Sequence, residues 1–484
     1  MHPSAVGGRK RRLVFVLAVA AAAIGAAAAL AATSLVRISS DPFTNGTSQH
    51  KTQVEPDTFA FGSTIVAAFQ SGRFTDGGSS DIGYAITNDG GTSWTHDFLP
   101  RLTQFSNPPG PYGRASDPSV AYDPKHDVWM ISALGFAPGD DVVVSRSLDG
   151  GASWKKPVIV HSGGGTDKNW TVCDTWQSSP FYGNCYTEWD NSSQGNRIEM
   201  STSTDGGATW SAQAAPADNP SGLGGVPVVA PDGRVVVPYS ANFGPIRYFT
   251  STDGGASWSA TQLVATVTDH LVAGGLRTDP LPSAEIDKRG TVYVVWQDCR
   301  FRSGCSSNDI VLAKIKPSGG VTPVVRIPID PVSSTVDHFI PGLAVDPTTA
   351  GDNAHLGMAY YYYPKASCSL STCKLDVGFV SSVDGGNTWL ASPRLAGPMN
   401  LTWLASTNQG RMVGDYISTS FADNGKAFPV VAVARQPTSV FREAMYTSFS
   451  GFELGAGGLA ASAEGAIPGA ASDHPAPVGL VTAR

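Results

Sequence analysis

The 484-residue chain is sparing with charge, only 15% Asp, Glu, Lys and Arg, and it holds no long stretch in which apolar residues recur at helical spacing. The missing period of 3.6 excludes a helical bundle. Basic residues form no block beyond Arg9 to Arg12, and the formal charge is −7, which excludes nucleic acid as a partner. Cysteine is scarce as well, at six residues. None has C-x-x-C spacing and no histidine sits beside one, so a structural zinc site is not expected. The six fall instead into close pairs, Cys173 with Cys185, Cys299 with Cys305 and Cys368 with Cys373, as disulfides in an oxidising compartment would.

What is abundant is glycine, 54 residues, and proline, 34, set among short valine- and tyrosine-rich runs. With 41% hydrophobic residues a sizeable core is available, and the pattern predicts an all-β protein. The ends differ from the middle. Residues 1–32 carry a basic segment, an apolar run and a small-residue site at Ala29-Leu30-Ala31, which reads as a signal peptide or an uncleaved anchor. The protein is therefore expected to be secreted or held at the cell surface, touching membrane only if that segment stays. Residues 454–484 are Gly, Ala, Ser and Pro with too little apolar bulk to pack, an expected disordered tail. Between them, residues 33–453 form the folded part. Sequons at Asn45, Asn169, Asn191 and Asn400 matter only in a glycosylating host.

One octet recurs five times: TNDGGTSW at 87–94, SLDGGASW at 147–154, STDGGATW at 203–210, STDGGASW at 251–258 and SVDGGNTW at 382–389. Glycine supplies the positive φ of a tight turn, the leading Ser or Thr and the Asp accept hydrogen bonds from the turn's own N–H groups, and the Trp folds back as an apolar lid. Asp89, Asp149, Asp205, Asp253 and Asp384 are thus expected to be structural. Each octet ends a triplet of strands, as in residues 117–154 and 226–258, and two further triplets, 282–320 and 414–450, lack it. Inner strands are predicted to start near 56, 118, 175, 227, 282, 341 and 415. Such repetition predicts a β-propeller of four-stranded blades, seven favoured and six the alternative. The match of VRISSDP at 36–42 to VRIPIDP at 325–331 predicts that an N-terminal outer strand closes the ring.

The octet is the Asp box, S-x-D-x-G-x-x-W, and the chain resembles the Asp-box (BNR repeat) propellers best known from sialidases across roughly residues 36–450. The resemblance implies boxes on the rim and chemistry on the opposite face. Sialidases clamp a sugar carboxylate with three arginines and use a Tyr nucleophile, a Glu and an acid/base Asp. Here Val54 stands where the first arginine belongs, and the Arg326-Ile327-Pro328 tripeptide lies in an outer strand. Gly225 or Val226 stands where the Glu belongs, and Tyr239-Ser240 near the second arginine's place. Tyr416 matches the family's Tyr, Arg300 the third arginine's neighbourhood, and Asp76 or Asp81 the acid/base loop. Arg114 or Arg277 is a candidate to replace the lost clamp.

A separate pattern sets Asp269-His270, Asp337-His338 and Asp167-Lys168 just before inner strands, where loops converge on the channel mouth. These residues, with Asp117, Glu285 and Asp415 lining the channel, are expected either to tie neighbouring blades or to form one polar cluster. Two histidines with several carboxylates would suit a divalent metal such as calcium, though no cofactor is required. The expected function is a monomeric, sialidase-like propeller that acts on or binds extracellular glycans, with exo-sialidase activity opposed by the incomplete arginine set. The competing expectation is a non-catalytic propeller that binds a glycan or a cell-surface protein.

Overall fold

The inner strands take their shape from a repeated tripeptide with proline, or a residue in its place, at the centre. Glu55-Pro56-Asp57, Asp117-Pro118-Ser119, Val226-Pro227-Val228, Leu281-Pro282-Ser283 and Ile340-Pro341-Gly342 share it, while Lys168-Asn169-Trp170 and Asp415-Tyr416-Ile417 occupy the same place without proline. At four of these sites the strand register slips, with a left-handed residue at the slip: Glu55 (φ 55°), Asp117 (φ 46°), Lys168 (φ 51°) and Ile340 (φ 50°). A bulge re-aims the side chain and ends regular pairing.

This computed structural model describes residues 1–2, 35–392 and 394–455, with the backbone of 461–462 and 464–465. The architecture is all-β, and among the described residues only short 3-10 turns interrupt the strands. The expected leader lies almost wholly outside them. Among the described residues no helix is long and apolar enough to cross a membrane.

After β1 (Leu35–Arg37) come β2 (Gln53–Phe61), β3 (Thr64–Arg73), β4 (Ser79–Thr87) and β5 (Thr95–Phe98). Next are β6 (Arg114–Asp123), β7 (Val128–Phe136), β8 (Asp140–Ser147) and β9 (Val158–Ser162), then β10 (Thr166–Cys173), β11 (Cys185–Asn191) and β12 (Arg197–Ser203). The fourth group is β13 (Val228–Val229), β14 (Val235–Ser240), β15 (Ile246–Ser251) and β16 (Gln262–Ala265). The fifth is β17 (Ser283–Ile286), β18 (Val292–Asp298), β19 (Asp309–Ile315) and β20 (Val325–Arg326). The sixth is β21 (Asp337–Val345), β22 (Leu356–Tyr363), β23 (Lys374–Ser382), β24 (Thr388–Ala391) and β25 (Ala396–Asn400). A hairpin of β26 (Ala405–Thr407) and β27 (Gly410–Met412) precedes β28 (Ser418–Phe421), β29 (Ala427–Ala434) and β30 (Glu443–Ser448). Of the tail, β31 (Ala461–Ser462) pairs with β24 and β32 (Glu464–Gly465) with β20, and the rest past Gly455 lies outside the described residues.

Neighbouring strands pair antiparallel throughout these sheets. The expectation of seven, or six, separate four-stranded blades is corrected: among the described residues five sheets have four or more strands. One of them runs continuously from β2 to β9, because the pair Ser79↔Ala115 joins β4 to β6. The β10–β12 sheet stops at three strands, its outer edge reduced to the isolated bridges Met200↔Ala214 and Arg197↔Ser221. The innermost strands nevertheless follow one another in a cycle: β2 lies beside β6, then β10, β13, β17, β21 and β28, and β28 lies beside β2. The third inner strand is Thr166–Cys173 rather than one starting near 175, because 174–184 is a loop that the Cys173–Cys185 disulfide closes.

The residue just after the proline position ties one inner strand to the next. Val120 N donates to Asp57 Oδ2 (2.7 Å), Thr171 N to Ser119 Oγ (2.8 Å) and Leu343 N to Ser283 Oγ (3.0 Å). Apolar cores fill the wedges between adjacent groups of strands: Val66 and Ile82 meet Val120 and Ile131, Val236 and Tyr248 meet Val294 and Val311, and Val295 and Leu312 meet Leu356 and Val380. Each such side chain contributes roughly 1.5–3 kcal/mol by leaving water. At the outer edges β1 pairs with β30 through Val36↔Thr447, and Ile38 N donates to Met445 O (3.0 Å). The matching segment behaves alike, with β20 on β19 and Ile327 N donating to Ile310 O (3.0 Å).

Candidate functional site at the channel mouth

The bulged positions bring four charged side chains to one point. Lys168 Nζ lies 3.3 Å from Glu55 Oε1 and 3.3 Å from Asp117 Oδ1, and it also binds Asp415 Oδ2. All four side chains are buried. Arg277 reaches the same oxygen of Asp415 through Nη2. Glu55 also accepts from Asp415 N (3.2 Å) and from Gln70 Nε2. Gly414 permits this approach: a Cβ there would sit 2.9 Å from Glu55 Cα, and its φ of 144° suits glycine. The equivalent positions in the next three inner strands are Val226, Leu281 and Ile340, so one side of the mouth is ionic and the other apolar.

Burial pushes the Glu55 carboxyl up to about 7, opposed by Lys168 and raised further by Asp117 and Asp415. Burial also works against an ionised Asp415, but Arg277 and then Lys168 overcome it and hold that carboxyl well below the ordinary range. For Lys168 burial opposes the charge, and Asp117, Asp415 and Glu55 reverse the effect, so it stays protonated. A buried ammonium shared by three carboxylates is strongly held as a group and costly to break.

Around this hub stand half-exposed Asp167, Trp170, Arg277, Asp279 and Tyr416. Trp170 meets Tyr416 edge-on at 5.1 Å, and Lys168 Nζ lies 5.8 Å from the Tyr416 ring centroid. Tyr416 Oη donates to Pro118 O (3.2 Å). Burial, then the charges of Glu55, Asp117, Asp57 and Asp415, push its phenol well above the ordinary value. Arg73 is buried beside Met412 Sδ (3.4 Å) and donates to Gly78 O (2.6 Å).

Of the residues singled out in the sequence, Asp167, Lys168, Arg277, Asp415 and Tyr416 come together here. Asp117 joins them, while Glu285 lies apart from the hub, near Asp57. The others are elsewhere. Asp76 is exposed and pairs with Arg114 (3.1 Å), which lies over the Phe74 ring. Asp81 is buried and accepts from Ser106 Oγ (2.7 Å). Arg300 is committed to Asp298 (2.6 Å) and Thr266 O.

Of the two arrangements expected for the Asp/His pairs, blade ties or one polar cluster, the two histidines do not share a cluster, because successive residues of a strand point to opposite faces. His270 pairs with Asp337 (3.3 Å), and that bond raises its pKa. His338 packs against Tyr360 and Tyr362, its Nδ1 3.3 Å from Asn308 O. His338, Asp309 and Asp330 do form a group whose ligand atoms could surround a metal ion. Arg302 and Arg326, however, both pair with Asp309 and Asp330, so two guanidiniums already neutralise the carboxylates a cation would need. That buried ion-pair set is the role of the Arg326-Ile327-Pro328 tripeptide.

The Asp boxes clasp their own turns. Thr388 N donates to Asp384 Oδ1 (2.8 Å), Thr388 Oγ1 to Oδ2 (2.6 Å), and Gly386 N to Ser382 Oγ (2.8 Å). The same bonds recur at Asp89, Asp149, Asp205 and Asp253. All three disulfides, Cys173–Cys185, Cys299–Cys305 and Cys368–Cys373, are formed.

Sequence reading missed Glu55 and Arg73. The signal for Glu55 was the proline tripeptide, repeated five times, whose first residue faces the mouth. Arg73 ends a strand and carries no comparable mark.

Residues 138–273 match the BNR repeat-like domain. The chain matches none of the curated proteins. Among solved structures, a polysaccharide lyase, an ulvan lyase, is similar at 9% identity over 86% of this chain and 96% of its own, with a TM-score of 0.50. A Hadza microbial sialidase is similar at 12% identity over 83% and 67%, TM-score 0.40, and a protein of unknown function from Dyadobacter fermentans at 15% over 72% and 99%, TM-score 0.43. Likeness at such identities is likeness of fold. The chain thus carries five Asp boxes and, over residues 138–273, resembles the BNR repeat-like domain, within an all-β propeller fold.

Proposed function

We propose that the protein is an extracytoplasmic, monomeric propeller, its ring closed by β1, that binds extracellular glycans at the channel mouth and does not cleave sialic acid by the arginine-clamp, tyrosine-nucleophile route. The hub around Lys168 carries this reading. A sugar carboxylate needs free guanidinium donors in a fork, whereas Arg277 is spent on Asp415, Arg300 on Asp298 and Arg114 on Asp76. Tyr416 keeps its proton, and no carboxylate accepts from its hydroxyl, which donates to Pro118 O (3.2 Å). An edge-on aromatic pair beside half-exposed carboxylates and a guanidinium is suited to sugar rings and hydroxyls. The disulfides and the expected leader support an oxidising location outside the cytoplasm.

The test has two measurements on the purified protein. Release of the fluorophore from a fluorogenic sialoside should be absent in the wild type and unchanged in Tyr416→Phe. Binding to immobilised glycans should be present, and weakened at least tenfold in Trp170→Ala. Turnover that disappears in Tyr416→Phe would restore the hydrolase reading.

A further inference from the structure

The loop between β16 and β17 crosses the mouth like a strap, and three groups of strands anchor it. From the fifth group, Arg300 Nη2 donates to Thr266 O, Cys299 N to Thr268 O (2.7 Å) and Gln297 Nε2 to Asp269 Oδ1 (3.0 Å). Asn308 brackets His270, accepting from its N–H (2.8 Å) and donating to its carbonyl (2.7 Å). From the sixth, Tyr363 Oη donates to Ala273 O (3.3 Å), and Gly274 sits so close to a disulfide that a Cβ would stand 2.7 Å from Cys373 Sγ. Just before β28, Arg411 O accepts from Arg277 N (2.7 Å). Two of the three disulfides therefore flank the strap, and within it Val272 and Leu276 are buried while Leu271 is 84% exposed. Its far end delivers Arg277 and Asp279 to the hub.

Charge at the mouth is unbalanced. Glu55, Asp117, Asp167, Asp279 and Asp415 share the site with only Arg73, Lys168 and Arg277. The cations are turned inward to carboxylates or carbonyls, whereas Asp167 and Asp279 are half-exposed. Two atoms in the hub, Asp415 Oδ1 and Arg277 Nε, are buried without a partner. An anionic ligand would meet net repulsion in a partly dry site, where Coulomb energies are large. A hydroxylated, uncharged one can donate to the carboxylates and accept from the guanidinium.

We infer, on the glycan-binding reading above, that the mouth selects uncharged polyhydroxylated ligands, neutral sugars, over acidic ones, and that the disulfide-anchored strap sets this choice through Arg277 and Asp279. Asp279 acts by charge and by accepting sugar hydroxyls. Arg277 acts from a position set by the strap and by its pairing with Asp415.

The experiment measures binding of the full chain to neutral oligosaccharides and to the same oligosaccharides capped with sialic or uronic acid. Neutral glycans should bind at least tenfold tighter than their acidic counterparts. In Asp279→Asn combined with Asp167→Asn that ratio should fall about tenfold, because the repulsion is relieved. Replacing Cys368 and Cys373 by Ser should lower neutral-glycan affinity about tenfold while a cooperative thermal transition persists. Tighter binding of acidic glycans, or a ratio unchanged by the Asp variants, overturns the inference and leaves the glycan reading standing. Binding to neither set overturns both. Unchanged affinity after loss of the disulfide removes the strap from the account.

Discussion

Lys168 Nζ and Glu55 Oε1 lie 3.3 Å apart although 113 residues separate them in the chain. That contact, repeated to Asp117 and Asp415, joins four inner strands of the propeller at one ammonium. Lys168→Met should leave Glu55 and Asp117 without their counter-charge and Asp415 with Arg277 alone. The expected loss is about 3–5 kcal/mol, the usual effect of removing one partner of a buried ion pair. Urea unfolding would measure it. The variant should recover part of the loss as the pH falls, since protonation removes the repulsion. A variant as stable as the wild type would show that the hub does not hold the ring.

Glu285 predicts a pH dependence of opposite sense to that of a salt-bridged acid. Burial, then the charge of Asp57, pushes its carboxyl up to about 8. A raised carboxyl prefers its proton in the folded state, so its contribution is full below the unfolded value near 4.5 and is lost as the pH rises through about 8. Thermal midpoints should fall between pH 5 and 8, and Glu285→Gln should flatten that slope.

The Asp boxes titrate the other way. Hydrogen bonds from the Ser93 hydroxyl and then its N–H, with Thr87, lower the Asp89 carboxyl to about 2. Ser153 and Ser147 do the same to Asp149, also to about 2. Their contribution is present above the unfolded value near 4 and disappears as the pH falls through about 2. Carbon NMR of the Asp carboxyls should follow this, and Ser93→Ala should move Asp89 alone back toward 4.

The disulfide Cys173–Cys185 joins the ends of the loop between β10 and β11 across 12 residues. Replacing both cysteines by Ser should cost about 3 kcal/mol through the freedom regained by the unfolded chain. The same substitution should leave the mouth untouched, because neither residue lies near Lys168. Denaturant midpoints and glycan binding together check this. A loss of binding at full stability would contradict it.

Local chemistry made much of the fold legible in the sequence. Each Asp box is closed by its own eight residues, so its geometry needs no distant partner and could be read from STDGGASW alone. Alternating strands, the three close cysteine pairs and the twin VRI segments are likewise short-range signals. Where sheets meet was not legible: the Ser79↔Ala115 pair that fuses β4 to β6 depends on how two turns approach. The candidate site was half visible. Asp167, Lys168, Asp415 and Tyr416 were marked by their place before or at an inner strand, but His338 follows Asp337 by one residue and so faces the other side of its sheet.

By itself the sequence determined the repeating unit, because turn, strand and lid are encoded within a few residues of one another. It also put Val54 where the sialidase resemblance implies the first arginine, and Gly225 or Val226 where it implies the Glu. Only the tertiary structure decided that Glu55, Asp117, Lys168 and Asp415 converge, and that Arg277 pairs with Asp415. The reason is physical: ion pairing at the mouth depends on distances across the ring, and no local pattern specifies those.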